Sequence, residues 1–416
     1  MVTRRSLLKC TGGAAAAGIT AGGIALISRN GGDGGIDDDG KTFESIDIDY
    51  GASADPTEIY RVWTGYPRRF SFVEDEAYTG ETALRCTIPV NASDGSNAMF
   101  WFPDEGYEQP REVAQRSMIR LSENWTMADG DICRFWSAGL NTAAGTHGSG
   151  GRGKPSGNDG WSTMLAVTDR GTDGDDLYNL GAYTYHMDQQ GASGEFELID
   201  APIPAGKWFR LETYVRMNTV TDGTAERDGV VRCWVNGNLV YERTDFRWTT
   251  TEAQAIEYAG PLVRYGGSET APTDLAVYYD DHELRGNDAA DGSARYRGPF
   301  VEEPANMDEY EGRLTIVTDA DTETTYRLYI GGYIVHTQWD NVDGREASPN
   351  DAVEISLADN TQNGSVTVDA EAGPDTADGY LFDGELVAVD ADPGLAELWL
   401  SGDRVDPAEY PSTPSE

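Results

Sequence analysis

The sequence predicts an all-β protein: a large β-sandwich of jelly-roll type, followed by a smaller C-terminal antiparallel β-sandwich. Three observations predict it. Short runs of alternating apolar and polar residues, separated by Gly, Asn and Asp turns, recur from about Tyr60 to Arg285 and again from Arg313 onward. Outside the N-terminal segment, no stretch of a dozen residues carries the 3.6-residue apolar period of a helix. Finally, 39% hydrophobic residues with 10 Trp and 21 Tyr in 416 residues supply enough apolar surface for packed cores.

Taken in order, residues 1–29 open with Thr-Arg-Arg-Ser-Leu-Leu-Lys (3–9), then a Gly/Ala-rich, mildly apolar stretch. Paired arginines ahead of such a stretch predict a twin-arginine export signal, which places the mature chain outside the cell or at its surface. Its glycines make it a poor membrane-spanning helix, and no clean cleavage site stands out near Ser28. Residues 30–58 are rich in Gly and Asp and read as a solvated acidic linker. Residues 59–285 form the larger β-unit. Within it Arg210–Met217 alternates, and Val230–Glu242 holds two strand-like runs meeting at Asn236-Gly237, a strong hairpin signal. Leu275–Leu284 closes the unit as another strand. Residues 286–312 are a second polar linker, and 313–416 an acidic β-sandwich accessory domain.

The charge balance excludes whole classes of partner. The chain carries 72 Asp plus Glu against 31 Lys plus Arg, a formal net charge of −41, and only four of its cations are lysines. Binding to nucleic acid or an anionic membrane surface draws on basic residues, so neither is expected. Such an acid excess suits a protein kept soluble in very strong brine, where salt screens self-repulsion. After Cys10, three cysteines remain (Cys86, Cys133, Cys233), too few for a disulfide framework.

Catalytic motifs are informative chiefly by their absence. There is no GxSxG, HExxH, Walker loop or GxGxxG after a strand, and four histidines spread through the chain argue against a multi-His centre, so neither metal nor cofactor is expected. Two segments are unusual for a purely structural sandwich. Gly139–Ser162 (GLNTAAGTHGSGGRGKPSGNDGWS) is a long polar loop with a basic island, Arg152 and Lys154, beside His147, Asn158 and Trp161. Long loops of this kind are usually functional, and these five are the candidate substrate-binding residues for an anionic ligand. In Gly181–Asp188 (GAYTYHMD), Tyr183 and Tyr185 share one strand face and His186 takes the other. An aromatic ladder between neighbouring strands is the structural alternative for the tyrosine pair.

Taken together, NDGWS (158–162), YTYH (183–186), PAGKWFRLETYVRMNT (204–219), WVNG (234–237) and RYGGSETAPTDLAVYYDD (264–281) resemble the family 14 polysaccharide lyases, alginate and glucuronan lyase-like proteins. The resemblance spans about residues 115–285 and implies a concanavalin-type β-jelly roll. It also implies β-elimination on a uronic-acid polymer, with Tyr185 as base and acid, Tyr183 as its partner and Ser162 as an orienting group. The family lysine falls near Arg134, which becomes the carboxylate neutraliser, while the family arginine two residues after the serine is Met164 here. His186 is a further candidate proton donor to the leaving oxygen. The partner so implied is an anionic polysaccharide. Two readings compete with catalysis: a non-catalytic carbohydrate-binding protein that kept the fold, and a cell-surface β-sandwich protein.

Overall fold

Strand alternation sorts the residues of the large unit between the inside and outside of two antiparallel sheets packed face to face. The computed structural model describes residues 27–28, 41–62, 67–141, 153–170, 177–286, 310–319, 321–337, 341–342, 345–346, 353–357, 366–392 and 394–414. Among these, one sheet of nine strands runs Ile27–Ser28, Ser45–Ile48, Leu275–Gly286, Glu112–Leu121, Trp208–Arg216, Gly229–Val235, Asn238–Phe246. Ala83–Ile88 and Phe70–Val73 complete it beside Leu275–Gly286. The opposing sheet has seven described strands: β1 (Arg61–Val62), β2 (Asp94–Trp101), β3 (Ile132–Leu140), β4 (Trp161–Thr168), β5 (Leu177–Tyr185), β6 (Glu195–Pro204) and β7 (Tyr258–Tyr265). Their order across the sheet is β6-β5-β4-β3-β7-β2-β1.

Between the sheets, Phe135, Trp136, Leu165 and Leu180 meet Ile119, Leu211, Val231 and Tyr279 in one core. Each such side chain contributes roughly 1.5–3 kcal/mol by leaving water. Two polar side chains bridge this core. Trp136 Nε1 donates to Thr213 Oγ1 at 3.1 Å, and Tyr279 Oη donates to the Phe135 carbonyl at 2.6 Å, which ties the two sheets together. The hairpin forms where Asn236-Gly237 predicts it. Both residues take positive φ (49° and 89°), and Val235 pairs with Asn238. The three cysteines of the large unit are buried and free.

The linker expected over residues 30–58 ends earlier than its composition suggests. Ser45–Ile48 pairs with His282–Arg285, and Phe43, Ile46, Ile48 and Tyr50 are buried in the main core. The acidic residues hid the pattern: Ile46 and Ile48 alternate with Asp47 and Asp49, which is an amphipathic strand near the sheet's edge, flanked outside only by Ile27–Ser28. The export signal falls outside the described residues except for Ile27–Ser28, and so does the polar stretch 287–309.

The C-terminal strands pair into a continuous antiparallel sheet, Glu354–Leu357, Val366–Ala372, Thr324–Thr337, Ala377–Asp392, Gly312–Val317, Glu397–Leu400, Asp403–Val405. Its two longest strands cross tightly at Gly384 (φ 91°), where a Cβ would lie 2.1 Å from the Gly331 carbonyl oxygen. Leu314, Ile316, Leu328, Ile330 and Val368 form its core, which also receives Leu177 of β5. Lys207 Nζ meets Asp383 at 2.7 Å, and Asn236 Nδ2 donates to Tyr333 Oη at 3.1 Å, so this unit docks on the hairpin end of the large one.

Candidate active site

On β3, β4 and β5 one residue of every two faces the core, and the next faces the opposite side of the sheet. Cys133, Phe135, Leu165, Val167, Leu180 and Ala182 face inward. On the other side Met164, Tyr185, Tyr258, Leu262, Met99 and Trp101 form a separate cluster, with Tyr183 packed against it. This outer face carries the residues of interest.

Three rows of register partners cross it. In the first, Tyr185 (β5) pairs with Ser162 (β4), Ser162 with Gly139 (β3), Gly139 with Tyr258 (β7), and Tyr258 with Trp101 (β2). The second runs Tyr183, Met164, Ser137, Gly260. The third runs Gly181, Ala166, Arg134, Arg264. The register of β3 shifts between Arg134 and Trp136, a bulge that lets Phe135 and Trp136 both enter the core while Arg134 stays on the outer face. Gly139 is required by a close approach. Tyr258 leans across it, and a Cβ there would lie 2.5 Å from Tyr258 Oη and 2.6 Å from the Trp161 carbonyl.

The two tyrosines stand edge to face, ring centroids 5.5 Å apart at 87°, with their hydroxyls 3.3 Å apart. The Arg134 guanidinium lies 5.5 Å from the Tyr183 ring centroid. It is buried and donates from Nη2 to the Gly266 carbonyl; among the described residues its Nε has no hydrogen-bond partner. Burial first, and the neighbouring Arg264 charge second, lower its pKa. An arginine starts so high that it stays charged at neutral pH. Burial also dominates at Tyr183. Together with the Tyr185 hydrogen bond it outweighs the pull of Arg134, and the phenol is pushed up to about 12. Tyr183 thus rests protonated, as a hydrogen-bond donor. Ser162 and its register partner Tyr185 are both buried, each 1% exposed, so Tyr183 forms the half-exposed side of the group. A cation, two phenols and a serine on one sheet face can neutralise a carboxylate and move a proton beside it.

Comparison with known proteins decides the family. A sequence profile described as polysaccharide lyase matches residues 52–282, more than half of the chain. The chain belongs to the polysaccharide lyase family. Solved structures similar to this lyase include a double mutant of the alginate lyase Aly36B in complex with an alginate tetrasaccharide (20% identity, 59% of this chain and 97% of that one, TM-score 0.44). Others are the marine PL-14 alginate lyase of Aplysia kurodai (16%, 55% and 90%, 0.44) and the endo-β-1,4-glucuronan lyase of the fungus Trichoderma reesei (18%, 57% and 94%, 0.37). A search of curated protein sequences finds no match.

The lyase thus gathers Arg134, Ser162, Tyr183 and Tyr185 on one face, but not every residue expected there. His186 follows the end of β5 and turns the other way. Its Nε2 lies 2.6 Å from Glu195, its Nδ1 accepts from the Asp188 N–H at 3.4 Å, and its ring stands edge-on to Phe246. Burial, above all else, lowers its pKa. With both nitrogens engaged on the far side of the sheet, it is a structural residue and not a proton donor at the tyrosine face.

Trp161 is likewise no substrate contact. Strand alternation that puts Ser162 outside puts Trp161 inside, where it packs on Trp248 with centroids 4.6 Å apart. Asn158 is exposed in a turn and accepts from Ser156 Oγ at 2.7 Å, which commits its side-chain oxygen to its own loop. Lys154 is exposed next to Gly153, whose N–H donates to Ala192 at 3.3 Å. The nearby Gly194 lies against both tyrosine rings, so Lys154 belongs to the rim of the face. His147 and Arg152 lie outside the described residues.

Sequence reasoning missed three further residues of this face: Arg264, Tyr258 and Gly139. Arg264 opens one of the motifs that carried the family resemblance, and an arginine within an otherwise apolar strand of an acid-rich chain was an available signal. Gly139 and Tyr258 carried none, because their relation exists only in the register of β3 and β7.

Proposed function

We propose that this polysaccharide lyase is exported and cleaves a uronic-acid-containing, alginate- or glucuronan-like glycan by β-elimination with tyrosine acid/base chemistry. The observation that carries the reading is the pair of phenol oxygens 3.3 Å apart beside the buried Arg134. The C5 proton of a uronate becomes abstractable only when the adjacent carboxylate is neutralised, and Arg134 supplies that charge without solvent screening. Tyr185, as phenolate, takes the C5 proton. The freed electron pair forms the C4–C5 double bond and expels the glycosidic oxygen at C4. The same tyrosine then returns the proton to that oxygen, so the enzyme ends as it began. Tyr183, which holds its proton, donates a hydrogen bond to the Tyr185 oxygen and steadies its charged state. Ser162, buried beside Tyr185 as its register partner, acts as an orienting group for that tyrosine. This scheme places the charge stabilisation on side chains and assigns no step to a metal.

Export is supported by the paired arginines and the Gly/Ala-rich stretch that follows, and operation in brine by the net charge of −41. Tyr185→Phe tests the assignment, because it deletes one oxygen and keeps the ring. Binding of a polyuronate should survive while turnover falls by about 10²–10⁴-fold. A wild-type chain that binds polyuronates without turnover would favour instead a carbohydrate-binding protein that kept the fold.

A further inference from the structure

We infer that Arg170, Phe196 and Leu198 form a second sugar subsite beside the tyrosine pair, with Leu198 meeting the apolar face of the neighbouring uronate and Arg170 its carboxylate. The inference rests on reading this face as a uronate site and extends it by one strand. Two of the three rows continue onto β6, where Tyr183 pairs with Phe196 and Gly181 with Leu198. Neighbouring strands lie ~4.8 Å apart, so β6 stands a step comparable with one sugar ring beyond the phenols. Leu198 is 49% exposed; among the described residues Val90 and Leu239 are similarly open, but only Leu198 stands on a strand of this sheet. A lone exposed leucine is ordinary. This one adjoins an aromatic ring and a fixed cation. Phe196 packs on the backbone of β5: a Cβ on Gly181 would lie 2.3 Å from Phe196 Cε2, so the ring settles there only because that residue is glycine.

Arg170 follows the end of β4 by two residues. Its guanidinium carbon lies 4.6 Å from the Phe196 ring centroid, and its Nε and Nη2 donate to the Gly130 carbonyl at 2.9 and 2.7 Å. The Gly130 N–H in turn donates to Asp169 at 2.9 Å. A neutral carbonyl and an aromatic ring thus hold Arg170, which stays exposed and makes no ion pair among the described residues. The opposite end of the face is built the other way. Arg61 lies 3.8 Å over the Trp101 ring, but its Nε donates to Asp104 at 2.6 Å, and Trp101 is buried. There the cation is neutralised and the aromatic surface is covered. At the β6 end open apolar surface meets a cation held by a neutral group, which matches a uronate's C–H face and carboxylate together. The next outward residue of β6 is the exposed acid Asp200, so the platform is bounded at Leu198.

The test uses the full chain in high salt, with sodium alginate, glucuronan and carboxyl-reduced alginate as probes. The variants are Arg170→Gln, Arg170→Lys and Leu198→Ser, all at exposed positions, with near-ultraviolet circular dichroism to confirm folding. Arg170→Gln should raise KM on both polyuronates about 10-fold while kcat changes far less, because the lost contact lies off the reacting atoms. Arg170→Lys, which keeps the charge, should recover part of that loss. Kd measured in the Tyr185→Phe background separates the two contributions. There Arg170→Gln should weaken binding of the polyuronates and leave the carboxyl-reduced polymer unaffected, whereas Leu198→Ser should weaken both by about three- to tenfold. An arginine that merely clips Gly130 would lower Tm without altering this charge selectivity. The proposal is overturned if folded Arg170→Gln keeps the wild-type KM and Kd, or weakens charged and reduced polymers alike, while the wild type still prefers the polyuronates. If the wild type binds polyuronates but makes no unsaturated product, elimination fails as a reading, and the same variants report on the subsite through Kd. If it binds polyuronates no better than carboxyl-reduced alginate, the uronate reading of the face fails and the subsite fails with it.

Discussion

Replacing Gly139 by alanine probes how the fold shapes the site. The added Cβ would lie 2.5 Å from Tyr258 Oη, 2.6 Å from the Trp161 carbonyl oxygen and 2.8 Å from Tyr258 Cζ. Restoring ordinary contacts of 3.4 Å requires the hydroxyl to retreat by about 0.9 Å and the carbonyl by about 0.8 Å. Neither has room. Tyr258 is 6% exposed and stacked on Trp101 with centroids 5.3 Å apart, and the carbonyl belongs to the strand that carries Ser162. Overpacking of such a site costs about 2–3 kcal/mol, which lowers Tm by roughly 4–12 °C for a unit of this size. Because the displaced groups border Ser162 and Tyr185, a shift of this size also predicts a rate loss of about 10²-fold. Thermal melts and initial rates measure both effects. Adding Tyr258→Phe removes the closest contact and should return about 1 kcal/mol of the stability, read as the coupling in a double-mutant cycle. A Gly139→Ala protein with wild-type Tm and rate, or a cost that ignores Tyr258→Phe, would refute the geometry of the first row.

Two further predictions concern protons. Tyr183→Phe should lower kcat by about 10²-fold, less than the loss of Tyr185, because it removes only the hydrogen bond that steadies the Tyr185 phenolate. Spectrophotometric titration should show one phenol with a midpoint near pH 12 that is missing from Tyr183→Phe. Folding raises this pKa, so its contribution to stability is present below about pH 10 and is lost as pH rises toward 12. A midpoint at the ordinary value would contradict the burial of Tyr183. His186→Gln should keep the wild-type kcat within about threefold, since His186 faces Glu195 and Phe246. It should lower Tm through the loss of a buried hydrogen bond worth about 1 kcal/mol. A large loss of kcat with Tm unchanged would restore His186 to the proton path.

What the sequence made legible follows from the range of each interaction. Local signals succeeded: alternation gave the strands, Asn236-Gly237 gave its hairpin, and the two-residue spacing put Tyr183 and Tyr185 on one face with His186 on the other. The same alternation separates Ser162 from Trp161, but only the register shows which of the two faces the core. Composition misled at Ser45–Ile48, where the aspartates of an amphipathic strand resemble those of a linker. Contacts between strands remote in sequence, such as Arg134 with Arg264 or Gly139 with Tyr258, depend on a bulge and a register that no local pattern encodes. The fold was therefore more legible than the site.

The most direct test of the account is to incubate the full chain, in strong salt, with alginate and glucuronan and to follow the ultraviolet absorbance of a C4–C5 unsaturated uronate. The wild type should generate that chromophore at the new non-reducing ends, and Tyr185→Phe should bind the same polymers without generating it. If the wild type releases no unsaturated product from any polyuronate, or if Tyr185→Phe releases it at the wild-type rate, elimination by this tyrosine face is contradicted.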